Sequence, residues 1–460
     1  MDTAPESALQ NALSTATDTR VLVTGREVLG RTGAAFAEAF GSAGVLPAAQ
    51  LVADGNTWAV AGEQVSAALR AAGVELAEPL VLPAVPTVYA SYENVQRIRE
   101  HLSARDGVPV VIGSGTLNDL VKLAAAELER EYLVVATAAS MDGYAAYGAS
   151  ITKDGFKITR YCPAPAAIVA DVQILAAAPG RLTATGVGDL IEKVPAGADW
   201  MLADALEVEP ITEHVWHLVQ DPLRASIAEP EQLVAGDPGA IDRLAEGLLM
   251  SGLAMQAHQS SRPASGAGHQ FSHLWEMEGL GLDWEPPLSH GMKVGLGTIA
   301  LCALYEVALE KDLAALDVDA AVAAWPSWPE TEARVRAAEL PEQVAEASVA
   351  QCREKYVPAE ELRIRLEQLR RLWPELAPRL RAQLLPAADV ERRLEVVGAI
   401  THPAQIGLDE ARFRATYFRA QMIRSRYTLL DVLLEANLLD ACVAELFAPG
   451  GFWGRRSDQW

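Results

Sequence analysis

The sequence predicts an α/β domain built on a mostly parallel sheet, followed by an all-α domain, and three observations carry that expectation. Up to Pro179-Gly180, strand-like apolar runs alternate with helical stretches of about ten to fifteen residues, the pattern of a doubly wound, mostly parallel sheet. Those runs lack the in–out alternation of a half-exposed strand, as expected of strands buried on both faces. From Arg181 onward helical periodicity rich in Ala, Leu and Glu takes over. At 460 residues the chain is long for one core, so two domains, 1–179 and 180–460, are expected.

RVLVT (Arg20–Thr24) reads as the first strand, with an Ala-rich helix over Gly33–Ala43. AAQLVADGN suggests a second strand ending at Asp54, followed by a helix for which Thr57 is the candidate cap. PLVLPA, VPVVIG (Val108–Gly113) and YLVVAT (Tyr132–Thr137) are the next strands, with helices between them. ASITKDGFKITRYCPAPAAIVAD reads as a hairpin turning at Asp154-Gly155, then one more sheet strand. In the helical half, AAWPSWPE (Ala323–Glu330) is expected to be an inter-helix loop, and the basic Arg363–Leu385 stretch a helix with one solvated face.

A formal charge of -23 argues against a nucleic-acid surface, which needs clustered Lys and Arg. Cys162, Cys302, Cys352 and Cys442 show no CxxC spacing, so they are expected to be small core residues in a reducing compartment. The first twenty residues lack the basic and apolar regions of a signal peptide, and runs such as LVVATAAS are too short to span a bilayer. A cytoplasmic protein without a membrane span is expected.

Chemistry concentrates in two stretches. In VVIGSGTLNDLVK a strand meets a helix through glycines, where a close backbone approach and free helix N-terminal N–H groups suit a pyrophosphate. Such a turn also serves simply to redirect a chain, and it lacks the GxGxxG form, so an ordinary Rossmann dehydrogenase is not supported. Asp54 ends a strand, where a carboxylate suits ribose hydroxyls and disfavours a 2′-phosphate, or is a plain turn residue. Thr137, Ser140 and Asp142 would sit at another strand's carboxyl end, where α/β sheets bind ligands, Asp142-Gly143 as a simple turn being the alternative.

The second stretch, Ser260–Gly297, holds three of the eight histidines. His269 and His273 share a helix face, and His290 opens what reads as the next helix. Two imidazoles plus a carboxylate from elsewhere make a three-ligand metal site with an open position. The best carboxylate is Asp189 in TGVGDLIEK, where the two glycines are expected to let backbone crowd a ligand. The site is not HExxH, since Gln270 follows His269; an Asp-His-His set suits zinc, iron or nickel alike. His273 is a fourth ligand or, leaving the metal open, a substrate-binding or proton-relaying group.

GSGTLNDLVK, ATAASMDGYAA, GVGDLIEK…ADW, SRPASGAGHQFSHLWEM and HGMKVGLGT, in this order and spacing, resemble the bacterial sn-glycerol-1-phosphate dehydrogenases. These belong with dehydroquinate synthase, glycerol dehydrogenase and the iron-containing alcohol dehydrogenases. The tail EARFRATYFRAQMIRSRYTLLDVLLEANLL is similar to the bacterial members' C-terminal helices, so the likeness covers nearly the whole chain. It implies a dehydroquinate synthase-like fold with the active site in the cleft between two domains. It also implies that Asp189, His269 and His290 hold one divalent metal (Zn, Ni or Fe). Asp189, Asp142 and His273 would meet the substrate, and Asp54, Gly113, Ser114, Gly115, Thr116, Leu117, Thr137 and Ser140 would hold NAD(H) or NADP(H). Three positions depart from the family: Ala146 stands for a serine, and Gly268 and Met292 for glutamates.

The implied reaction is reduction of dihydroxyacetone phosphate, a small phosphorylated three-carbon ketone, to sn-glycerol 1-phosphate, in an enzyme expected to be a homo-oligomer, with a dimer among the options. The rivals are a dehydroquinate-synthase-like lyase or cyclase using catalytic NAD, a diverged polyol dehydrogenase, and a catalytically silent nucleotide-binding paralogue. The lyase would need several cations, and near the site the sequence offers chiefly Lys122, Lys193, Arg262 and Lys293.

Overall fold

The computed structural model describes residues 8–153 and 156–460. Eight strands occupy the first part of the chain: β1 Val21–Gly25, β2 Ala49–Asp54, β3 Leu80–Leu82, β4 Val108–Gly113, β5 Leu133–Ala136, β6 Ala149–Lys153, β7 Phe156–Arg160 and β8 Ala167–Asp171. Six pair in parallel in the order β1-β8-β5-β4-β2-β3, while β6 and β7 form a separate antiparallel hairpin. The Asp154-Gly155 turn expected for that hairpin lies outside the described residues.

The continuous apolar runs have the cause expected of them. In β4, Val110 and Ile112 point into one core with Phe36, Val65 and Leu69, and Val111 points into the other with Ile98, Leu102 and Leu120. Helices α1 (Thr32–Phe40) and α2 (Glu63–Ala71) supply the first face, and α3 (Tyr92–Ser103) and α4 (Gly115–Ala126) the second. The cap after β2 differs from expectation. Asp54 is the N-cap, its carboxylate accepting from the Thr57 N–H at 2.8 Å, and the Thr57 hydroxyl closes the box by accepting from the Asp54 N–H. An ionised acceptor at that position outcompetes a hydroxyl.

From Val172 onward the described residues contain no strand. The helices that build the site are α5 (Gly180–Ile191), α6 (Lys193–Ala205), α7 (Pro238–His258), α8 (Ala267–Met277) and α9 (His290–Leu309). By length and composition α9 is apolar enough to cross a membrane, but 78% of that window is buried inside the molecule. The expected Pro/Trp loop is shorter than predicted. Helix resumes at Trp328 with Pro329 in its first turn, where a missing N–H costs nothing. α10 (Ala359–Gln383) buries Leu362, Leu366, Leu369, Trp373 and Leu380 and turns Arg370, Arg371 and Arg379 outward.

Glycines set how closely α5 and α9 approach. A Cβ at Gly188 would overlap the Gly291 carbonyl, and one at Gly291 would overlap that of Thr185. Gly186 packs in the same way on the Ala139 carbonyl, in the loop leaving β5. The glycines of GVGD thus admit neighbouring backbone, not the ligand the sequence suggested.

Candidate active site

The connection from β2 to β3 runs to one side of the sheet and that from β4 to β5 to the other, which opens a crevice at the carboxyl ends of β2 and β4. Gly113 ends β4 there, Ser114 is extended at the N-cap, and α4 starts at Gly115. The Ser114 side chain caps nothing, so the first-turn N–H groups of Gly115, Thr116 and Leu117 have no side-chain acceptor. The two glycines serve packing: a Cβ on Gly113 would lie 2.6 Å from the Leu117 Cβ, and one on Gly115 would overlap Met141. Asp54 stands across the crevice at the end of β2. Thr137 donates its N–H to the Gly113 carbonyl at 3.1 Å, and Ser140 lies buried three residues on. The sequence-predicted nucleotide residues therefore gather on one edge of the sheet.

Asp142, in the loop beyond β5, links that edge to the helices. Its N–H donates to Asp189 Oδ2 at 3.0 Å, and its carboxylate accepts from Ser251 and from Lys193 Nζ, both at 2.9 Å. Lys193, fully buried, also donates to Asp189 Oδ1 at 2.8 Å.

Asp189 on α5, His269 on α8 and His290 at the start of α9 place one ligand atom each within 4.8 Å of one another. His269 Nε2 lies 3.5 Å from Asp189 Oδ1. Each ring has a carboxylate behind it: His269 Nδ1 meets Glu192 Oε2 at 2.7 Å, and His290 Nδ1 meets Glu276 Oε1 at 3.0 Å and Ser272 Oγ at 3.2 Å. A proton held at Nδ1 leaves each Nε2 lone pair for a cation, so the donor set fits a divalent metal. His273, Glu276 and His290 form a second group within 4.8 Å, but there Glu276 already serves the His290 ring.

The electrostatics agree with this arrangement. Burial alone would raise the Asp189 carboxyl, but the Lys193 ammonium and the two histidines hold it well below the usual carboxylate range. Burial alone would lower His269, but Glu192 and Asp189 push it up to about 9. His273 goes the other way, because burial and the neighbouring Arg424 guanidinium hold it well below its ordinary value. Arg424 Nη2 donates to His273 Nδ1 at 3.0 Å, which puts the ring's own proton on Nε2.

Three of the cations foreseen for a lyase are engaged by groups of the protein itself. Lys122 donates to the carbonyls of Gly143, Ala146 and Gly148, Lys193 spans Asp142 and Asp189, and Arg262 meets the Asp199 carbonyl and Glu209. Lys293 is buried in α9. Glu192, Glu276 and Arg424 were not among the expected site residues. The two glutamates carry a signal in helical spacing, three residues after Asp189 and three after His273. Arg424 lies more than a hundred residues from any of the expected ligands, where spacing carries nothing.

Residues 23–179 match the family model of iron-containing alcohol dehydrogenases. The chain is 35% identical over 257 residues to the NAD(P)+ glycerol-1-phosphate dehydrogenase of Halalkalibacterium halodurans, a match covering 56% of this chain and 64% of that protein. It is 35% identical to that of Bacillus velezensis over 58% of this chain and 68% of the other, and 36% identical to that of Methanosarcina acetivorans over 55% and 69%. Among solved structures it shares the fold of a probable glycerol dehydrogenase from Sinorhizobium meliloti, with TM-score 0.57, 16% identity and coverage of 93% of this chain and 97% of the other. An iron-containing alcohol dehydrogenase from Thermococcus thioreducens gives TM-score 0.57 at 14% identity, with coverage of 93% and 98%. The parallel sheet, the helical half and the sequence matches together settle the relationship: the chain belongs to the glycerol-1-phosphate dehydrogenase family.

Proposed function

We propose that the protein is a metal-dependent dehydrogenase that uses NADH or NADPH to reduce dihydroxyacetone phosphate to sn-glycerol 1-phosphate. The observation that carries this is the Asp189–His269–His290 set with a carboxylate behind each ring, tied through Asp142 to the nucleotide edge of the sheet. Residues 1–179 hold the nucleotide on this reading, and 180–460 hold metal and substrate.

Gly113 through Leu117 cradle the pyrophosphate with first-turn N–H groups, Asp54 takes the adenosine ribose hydroxyls, and Thr137 and Ser140 line the cofactor's path. Asp189, His269 and His290 hold zinc, nickel or iron, and Glu192 and Glu276 fix the two rings by holding their Nδ1 protons. When bound, the cation supplies Lewis acidity at the C2 carbonyl oxygen, where negative charge grows as hydride arrives. Lys193 keeps Asp189 ionised and aimed. His273, held neutral, offers its Nε2–H to the substrate oxygen and passes a proton as a relay, not from a stored imidazolium. Asp142 lines the substrate side beside it. The four cysteines are free and buried, which supports a reducing, cytoplasmic setting.

The test is metal analysis after anaerobic purification, then a cuvette assay of NADH and NADPH with dihydroxyacetone phosphate and, as control, dihydroxyacetone. Metal-dependent oxidation with the phosphorylated ketone is the expected result, and a chiral assay fixes the product's hand. Turnover of the unphosphorylated ketone alone would move the assignment to a polyol dehydrogenase. Nucleotide and metal bound without turnover would reject the reductase.

A further inference from the structure

We propose that Arg424, backed by Arg426, is the anion grip of the active site and takes the phosphate of the ketone substrate. This deepens the reading given above and rests on it for the substrate's identity. Several arginines of the C-terminal region end on a carboxylate: Arg365 on Glu435, Arg393 on Asp389, Arg412 and Arg419 on Glu278, Arg456 on Glu391. Among the described residues neither Arg424 nor Arg426 has a carboxylate within ion-pair distance.

Arg424 spends one Nη2–H on a neutral imidazole nitrogen, His273 Nδ1. Arg426 donates to the Ser265 carbonyl at 2.8 Å and to Ser261 Oγ at 3.0 Å, and its Nε is buried with no partner. Both side chains are half-buried, and a guanidinium does not shed its charge. Burial pulls both below the ordinary arginine value, Arg426 to about 10, where Arg262 and Arg424 add like charge. Two guanidiniums withdrawn from water, faced only beyond ion-pair distance by Glu276 for Arg424 and by Glu209 and Glu192 for Arg426, are costly, and a bound anion lowers the cost. In a chain of net charge -23, two neighbouring guanidiniums without a direct carboxylate partner are the feature that suits an anionic ligand.

Its position says which ligand. His273, the ring Arg424 touches, has its centroid 5.9 Å from that of His269 and 5.6 Å from that of His290. The guanidinium is thus one imidazole away from the metal-ligand set. A three-carbon ketone with its carbonyl at that set and an ester oxygen one carbon further carries its phosphate to the Arg424 fork. A phosphate dianion is a stronger acceptor for that fork than a neutral ring nitrogen, and it binds two N–H groups at once. Arg426 lies behind, holding the loop before α8 and adding its field.

Two measurements on metal-loaded protein test this. The first is kcat/KM for dihydroxyacetone phosphate against dihydroxyacetone in wild type, Arg424→Met, Arg424→Lys and, as a control from a half-buried ion pair, Arg412→Met. The second is inorganic phosphate binding by equilibrium dialysis in the same proteins, with metal content and NADH affinity confirming a folded site. The expected result is that Arg424→Met cuts the preference for the phosphorylated ketone by about a hundredfold and abolishes phosphate binding. Arg424→Lys restores part of both, and Arg412→Met leaves both as they were. Arg424→Met with undiminished preference and phosphate binding overturns the grip while leaving the dehydrogenase reading intact. Wild type that binds phosphate through Arg424 yet does not reduce the phosphorylated ketone sinks the dehydrogenase reading and keeps the grip as an anion site.

Discussion

Glu192 explains a residue that looks like a loss. The resemblance leads one to expect a glutamate where this chain has Gly268, directly before the candidate ligand His269. A Cβ at Gly268 would come within 2.8 Å of Glu192 Cγ, because the Glu192 side chain fills that space and reaches both the Gly266 N–H and the His269 ring. Glu192→Gln should therefore weaken metal binding by about 10–100-fold, read by chelator competition. Gly268→Glu should lose metal on its own and recover it in combination with Glu192→Gly, measured as metal content and thermal midpoint. Much of the site was legible at this scale. Asp189, His269 and His290 are donors in a Gly-rich setting, and the structure brings their ligand atoms together. Arg424 was not legible, since its place beside His273 depends on how a C-terminal loop folds back over 151 residues.

Among the elements, the parallel sheet could be read because burial on both faces writes itself as unbroken apolar runs. The α5–α9 crossing could not, because glycine inside a helix reads as a weakness until its partner is known. Gly291→Ala would drive a methyl into the Thr185 carbonyl and push α9, with His290 at its start, off α5. It should cost about 1–3 kcal/mol of stability and lower metal affinity as well. Gly180→Ala, at the open start of α5 with nothing near its Cβ, should be neutral or slightly stabilising. Denaturant midpoints for the two variants, set beside chelator titrations, check both.

The whole molecule carries a pH dependence away from the candidate metal site. Burial pushes Glu435 up to about 7 despite the opposing pull of Arg365. The folded state then holds that proton more tightly than the unfolded chain does. The contribution is complete below about pH 4.5 and is lost as pH rises through about 7. The stability of wild type relative to Glu435→Gln should fall between about pH 4.5 and 7, by up to about 3 kcal/mol, and then level off. Chemical unfolding of both proteins across that range is the check. At this scale the change from alternating strands and helices to helices alone was visible in composition, with the last strand ending at Asp171.

The main-chain contact between Gly188, Gly291 and Thr185 has a consequence for how the enzyme can evolve or be redesigned. At Gly188 and Gly291 the helices that carry Asp189 and His290 meet main chain to main chain, so at that crossing the bite of the site is set by atomic radii that substitution cannot shrink. Repacking the core should leave metal preference unchanged or destroy binding outright, with no graded series between. On the proposed reading, selectivity among zinc, nickel and iron falls to the charges behind the rings, and variants at Glu192 and Glu276 are expected to shift it, as read by metal content after mixed-metal loading.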